Sequence, residues 1–148
     1  MATWPTPGSI WVTVDLKAAI GSNLYFDEIK QDRSWISQKS ASNEETGYTY
    51  FGTTENGLLV IQSAFSSGGS GNFMHLHILD VAAAPAFDFE GNLYQRINLT
   101  NLRSIPLGDR WSGEISIDKN TITVATTRSG PADDSGVRRT QTIEATRP

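Results

Sequence analysis

The residues of this chain that could do chemistry are its two histidines, His75 and His77, which are the only histidines in the sequence. They stand two positions apart within an apolar segment, residues 73–81, that has the composition of a β-strand. Side chains alternate between the two faces of a strand, so both imidazoles are predicted to project from the same face. Two imidazoles side by side suit either metal binding or proton transfer near neutral pH.

A metal site built on these histidines needs at least one more ligand, and the chain has neither a third histidine nor a cysteine. The spacing of Gly69, five residues, and then His75-Leu76-His77 resembles the first metal-binding motif of the cupins. That resemblance implies a glutamate a few positions later, but Val81 and Ala82 occupy those positions. We therefore expect no bound metal and no other cofactor.

Proton transfer is the second chemistry that this pair suggests. Burial and mutual repulsion would disfavour the charged imidazoles, and a nearby tyrosine hydroxyl would assist a small substrate. The predicted site comprises His75, His77 and Tyr50 as acid–base groups, with Tyr48, Phe73, Trp35 and Phe65 as ligand-binding residues. The alternative interpretation is that both histidines lie on a sheet face, hydrogen-bonded to neighbours, and do no chemistry.

The tyrosines belong to the clearest hairpin signal in the sequence. Residues 48–55 and 58–65 alternate like strands and flank Asn56-Gly57, the dipeptide preferred in two-residue type I′ turns. Such a turn predicts Tyr48 opposite Phe65 and Tyr50 opposite Ser63. Both faces of this hairpin are largely apolar, which predicts a ligand cavity on one side or an interface with another chain.

The same patterns predict two further hairpins, formed by residues 86–90 with 93–97 and by residues 114–118 with 121–124. Two-residue loops at Gly91-Asn92 and Lys119-Asn120 would pair Phe89 with Tyr94, Ile117 with Ile122, and Ile115 with Val124. In the second hairpin the turn and the apolar alternation agree on one register.

Further strands are predicted at residues 10–16, 24–31, 34–38, 73–81 and 137–145, with a single helical turn at residues 15–21. About ten short strands indicate an all-β protein, and we predict one antiparallel barrel of about eight to ten strands spanning residues 1–148. A two-sheet sandwich is the alternative. Gly8-Ser9-Ile10-Trp11 resembles the start of the lipocalins, which implies a calycin-like barrel around a small ligand.

Composition excludes several function classes. The net charge of −4 comes without a basic cluster, so nucleic acid and anionic membranes are not expected partners. No apolar run approaches the roughly 20 residues of a membrane helix, and the N-terminus lacks the features of a signal peptide. We therefore expect a cytoplasmic location.

Together these features favour a barrel that binds a small apolar or aromatic molecule. Such a barrel either only binds this molecule or also catalyses its isomerisation or cyclisation without a cofactor, and the sequence leaves both alternatives open. The alternatives are a carbohydrate-binding module, which would expose its aromatic residues, and a structural or assembly protein that uses an apolar sheet face. A homodimer formed through such a face is also predicted.

Overall fold

The computed structural model of the chain describes residues 29–39, 43–128, 130 and 138–147. These residues contain nine β-strands and no helix, which confirms the all-β prediction. The strands are β1 (Ile29–Asp32), β2 (Trp35–Lys39), β3 (Glu45–Thr53), β4 (Leu59–Ser66), β5 (Phe73–Phe87), β6 (Leu93–Asp109), β7 (Ser112–Asp118), β8 (Thr121–Arg128) and β9 (Arg139–Glu144). The predicted strand at residues 10–16 and the helical turn at residues 15–21 lie outside the described residues. In the described part no helix is long and apolar enough to cross a membrane.

The first six strands form one antiparallel meander in the order β1-β2-β3-β4-β5-β6. β4 begins with Leu, Val and Ile, residue types that favour a pleated, buried strand. The centres of β4 and β5 are buried on both faces, because consecutive residues from Val60 to Ser63 and from Leu76 to Leu79 are buried. These two strands are therefore the interior of the sheet.

The last three strands form a second antiparallel sheet in the order β7-β8-β9. Its first hairpin has the predicted register, with Ile117 opposite Ile122 and Ile115 opposite Val124. The two-residue turn is possible because Lys119 adopts the left-handed conformation, with φ of 54°.

The two sheets share one apolar core. It contains Leu58, Val60, Leu76, Ile78, Ile105, Leu107, Trp111, Ile122, Val124, Ile143 and Ala145. Trp111 satisfies its one polar atom inside this core, since its Nε1 donates a hydrogen bond of 2.8 Å to Thr126 Oγ1. The described strands pair only within their own sheet, so they do not close into a barrel.

The turn between β3 and β4 connects the two sheets. Gly57 N donates to Thr54 O at 2.9 Å, which closes the turn. Within it, Asn56 N donates to Asn120 Oδ1 at 2.8 Å, and Asn56 Nδ2 donates to Ala145 O at 2.7 Å. One asparagine therefore holds this turn against both the β7–β8 turn and the segment after β9.

The same turn explains why the predicted register of the β3–β4 hairpin is wrong. The pairs are Tyr48–Ser63 and Tyr50–Ile61, where the sequence predicted Tyr48–Phe65 and Tyr50–Ser63. The turn starts at Thr54 instead of forming a two-residue loop, and Phe51 forms a bulge in β3. Each feature moves the pairing by one residue, so both tyrosines stay on the predicted face.

β5 and β6 are much longer than predicted. β4 pairs with β5 only as far as Leu79, whereas the pairing of β5 with β6 continues to Phe87 opposite Leu93. Residues 80–87 and 93–100 therefore form a two-stranded hairpin, here called the arm, that extends about 25 Å beyond β4.

The predicted Phe89–Tyr94 pair at the end of this hairpin is wrong. Tyr94 lies opposite Ala86, and Phe89 is fully exposed in the turn. The cause is Asp88, whose carboxylate accepts hydrogen bonds from the backbone nitrogens of Asn92 at 2.8 Å and Glu90 at 2.9 Å. These hydrogen bonds lower the pKa of Asp88, and the bond from Asn92 has the largest effect. They also hold a five-residue turn at residues 88–92.

Candidate functional site

The two histidines lie in the middle of the six-stranded sheet. Their strand neighbours Leu76 and Ile78 point into the shared core, so the histidines occupy the opposite face of the sheet. Two rows of side chains cross that face: Tyr50, Ile61, His77 and Ser104 form one row, and Tyr48, Ser63, His75 and Pro106 form the next. We call this surface the histidine face.

The structure brings six of the seven predicted site residues onto the histidine face. They are His75, His77, Tyr48, Tyr50, Phe65 and Phe73. Tyr50 is 53% exposed, and its hydroxyl is 2.7 Å from Thr53 Oγ1. Phe65 and Phe73 lie opposite each other and are 40% and 48% exposed.

Trp35 is the residue that the structure does not bring to this group. It lies opposite Thr49, whose side chain alternates with those of Tyr48 and Tyr50. Trp35 therefore faces the same side of the sheet as the shared core, away from the histidines.

His77 is buried in a chain of hydrogen bonds across three strands. Its Nε2 is 2.8 Å from Ser63 Oγ on β4, and its Nδ1 is 2.9 Å from Ser104 Oγ on β6. Asn101 Nδ2 in turn donates to Ser104 Oγ at 2.7 Å. The amide oxygen Oδ1 of Asn101 is buried and has no hydrogen-bond partner among the residues that the structure describes.

The surroundings of His77 keep its ring neutral. The pKa of His77 is lowered to about 4, first by burial and second by the charge of His75. The two rings are stacked, with centroids 6.1 Å apart and an interplanar angle of 27°. A neutral imidazole has one donor and one acceptor nitrogen, and the two serine hydroxyls can satisfy both.

Sequence reasoning missed Ser63, Ser104 and Asn101. Ser63 had no visible link to His77, because their contact depends on the pairing of β4 with β5. Asn101 and Ser104 are three positions apart, and they share a face only because β6 bulges at Leu102. Apolar residues continue to alternate beyond residue 97 at Leu99, and this signal could have predicted a longer strand.

The described residues offer no obvious metal site or deep pocket at the histidine face. Among them no three His, Asp or Glu side chains converge so as to hold a metal ion. A cleft of about 240 Å³ lies on the other side of the sheet, and none of the predicted site residues lines it. Its lining residues are Ile78, Leu102, Arg103, Glu144 and Thr146.

Comparison of the chain with protein-family models, with curated proteins and with solved structures gives no match. The features of this chain that bear on its function are therefore the geometry of the histidine face and of the arm.

Proposed function

We propose that this chain is a structural or assembly protein that binds another protein chain through its arm. The observation that carries this proposal is the exposure of large apolar side chains at the end of the arm. Phe87 is 71% exposed and Leu93 is 66% exposed, and Phe89 in the turn is fully exposed. Large apolar side chains grouped on a surface mark sites of protein–protein interaction.

One face of the arm is apolar apart from one glutamine, and the opposite face is mixed. Strand pairing and alternation place Val81, Ala83, Pro85, Phe87, Leu93, Gln95, Ile97 and Leu99 on one face, which we call the arm face. The opposite face carries Arg96, Asn98 and Thr100 together with Tyr94 and three alanines at positions 82, 84 and 86. A hairpin of two strands is only marginally stable in water, and an apolar face stabilises it only when something covers that face. A partner chain on the arm face would supply that cover.

Photo-crosslinking tests whether the arm contacts a protein. Phe89 is replaced by p-benzoylphenylalanine, which leaves the arm face intact, and the full chain is irradiated in a lysate of the cells that produce it. We expect covalent adducts with a protein chain, identified by mass spectrometry. The same replacement at Phe51, which is 40% exposed on β3, is the control and should give no such adduct. Absence of adducts from position 89 would contradict the proposal.

A second candidate function is the binding of a small apolar or aromatic molecule at the histidine face, without a cofactor. The observation in its favour is the unpaired, buried Oδ1 of Asn101 at the end of the His77 hydrogen-bond chain. Buried acceptors without a partner are uncommon, so this atom is a place where a ligand donor would gain a hydrogen bond. His75, which is half-buried and stacked against the His77 ring, would be the acid–base group.

Histidine NMR tests this second function directly, because the chain has only two histidine rings to observe. Aromatic fragments are added to protein with ¹³C-labelled histidine. Binding should shift the His75 ring resonances, and His75→Phe should weaken it roughly tenfold, the scale of one hydrogen bond to a buried group. If no aromatic fragment moves either ring, the histidine face is not such a site.

A further inference from the structure

We infer that the partner on the arm face is a second copy of this chain, packed arm face to arm face with the two arms antiparallel. This inference rests on the proposed function, since it names the chain that the arm binds. Three properties of the arm face support it: its charge, the distribution of its bulky side chains, and its area.

The arm face carries no charged side chain, although the chain as a whole has a net charge of −4. A partner selected by charge would find nothing to pair with on this surface. Two copies of the chain, in contrast, can bring their arm faces together without placing like charges opposite each other. The arm faces of two copies can therefore pack against each other without charge repulsion.

On β5 the bulkier side chains of the arm face lie at its two ends. Phe87 is at the tip of the arm and Val81 at its base, while the smaller Ala83 and Pro85 lie between them. On β6, Leu93 lies at the tip and Leu99 at the base, with Gln95 and Ile97 between them. A two-fold axis that crosses the arm near its middle, where Ala84 lies opposite Arg96, superposes the tip of one arm on the base of the other.

In that arrangement Phe87 packs over Val81 of the second copy, and Leu93 over its Leu99. Near the axis, Ala83 and Pro85 of the two copies meet on β5, and Gln95 of one copy packs over Ile97 of the other on β6. If the two arms packed tip over tip instead, their bulkiest ends would stack on each other. The antiparallel arrangement also leaves the two six-stranded sheets at opposite ends of the paired arms, where they do not collide.

The area of the arm face fits a weak dimer. Each copy would bury roughly 500 Å² there, so two copies bury about 1,000 Å², which is close to the lower limit for a specific interface. We therefore expect association at micromolar concentrations, with Phe87 and Leu93 contributing most to it because they are the most exposed large apolar side chains on the face.

Sedimentation equilibrium of the full chain tests this association. We expect a monomer–dimer equilibrium, and we expect Phe87→Ser/Leu93→Ser to raise the dissociation constant at least tenfold. Phe51→Ser removes an exposed phenylalanine outside the arm and should leave the constant unchanged. Circular dichroism checks that each variant keeps its β-structure. A parent chain that stays monomeric at about 100 μM would overturn the inference.

Spin labels test the orientation of the arms. The chain has no cysteine, so Glu90→Cys in the turn gives a single labelling site. Antiparallel arms place the two labels about 30 Å apart, whereas tip-over-tip arms place them about 10 Å apart. A dipolar distance near 30 Å supports the inference, and the short distance or the absence of a dipolar signal overturns it.

The crosslinking from position 89 separates this inference from the proposed function. Adducts that contain a second copy of the chain support both. Adducts that contain only a different protein support the proposed function and overturn the inference. If position 89 gives no adducts, both fail.

Discussion

Replacing Leu76 by alanine is expected to lower the free energy of unfolding by about 3–5 kcal/mol. Leu76 is fully buried at the centre of β5, opposite Gln62 on β4 and Ile105 on β6. Because β5 is paired on both sides, the backbone around the lost side chain cannot collapse to fill the cavity. The penalty should therefore lie in the upper part of the range for buried leucines.

Leu93→Ala is the matched control, since it makes the same change at a position that is 66% exposed. Measured by urea denaturation, at protein concentrations low enough to keep the arms apart, it should change the free energy of unfolding by less than about 0.5 kcal/mol. A loss below about 1 kcal/mol for Leu76→Ala would contradict the shared core that the two sheets form around this residue.

Acidification from pH 7 to pH 4 is expected to cost about 3 kcal/mol of stability through His77 alone. The pKa of His77 is about 4 in the folded protein, against 6.5 for an ordinary histidine. Between these values the unfolded chain binds a proton that the folded protein does not, so unfolding becomes easier as the pH falls. The contribution is fully present above pH 6.5 and is lost as the pH falls to about 4.

The variant His77→Gln isolates this effect, because glutamine can hydrogen-bond to the serines but does not titrate. The free energy of unfolding, measured at several pH values between 7 and 4, should fall steeply for the parent and much less for the variant. The titration of Asp88 does not disturb this comparison. The pKa of Asp88 is lowered from 3.8, so its titration changes the free energy of unfolding mainly below that pH. Equal slopes for parent and variant would show that His77 is not the buried neutral base described above.

The parts of the fold that sequence reasoning predicted are those in which turn and alternation agree. In the β7–β8 hairpin, the Lys119-Asn120 loop and the apolar alternation specify the same register, and the structure has it. In the β3–β4 hairpin the turn signal at Asn56-Gly57 was read as a two-residue loop. The hydroxyl of Thr54 accepts a hydrogen bond from Leu58 N and starts the turn earlier, a competition between side chain and backbone that alternation does not reveal.

In the candidate site, too, only some features could be predicted from the sequence. That His75 and His77 share a face follows from alternation within one strand. That Trp35 lies on the opposite face depends on the register between β2 and β3, which no local pattern specifies. The contacts of His77 with Ser63 and Ser104 join positions 14 and 27 residues away, and the second also follows a bulge in β6. Long-range strand pairing and bulges are therefore the features that could not be predicted from the sequence alone.

The meander order of the first sheet has a consequence for how the chain folds. Each of its strands pairs with the next along the sequence, so most of the sheet can form from contacts of low contact order. The bond from Asn56 to Ala145 closes a loop of 89 residues, and its entropic cost is repaid only after β9 is in place. The successive hairpins of the first sheet would thus form first. The hydrogen bond from Asn56 to Ala145 would form last and fix the second sheet against the first.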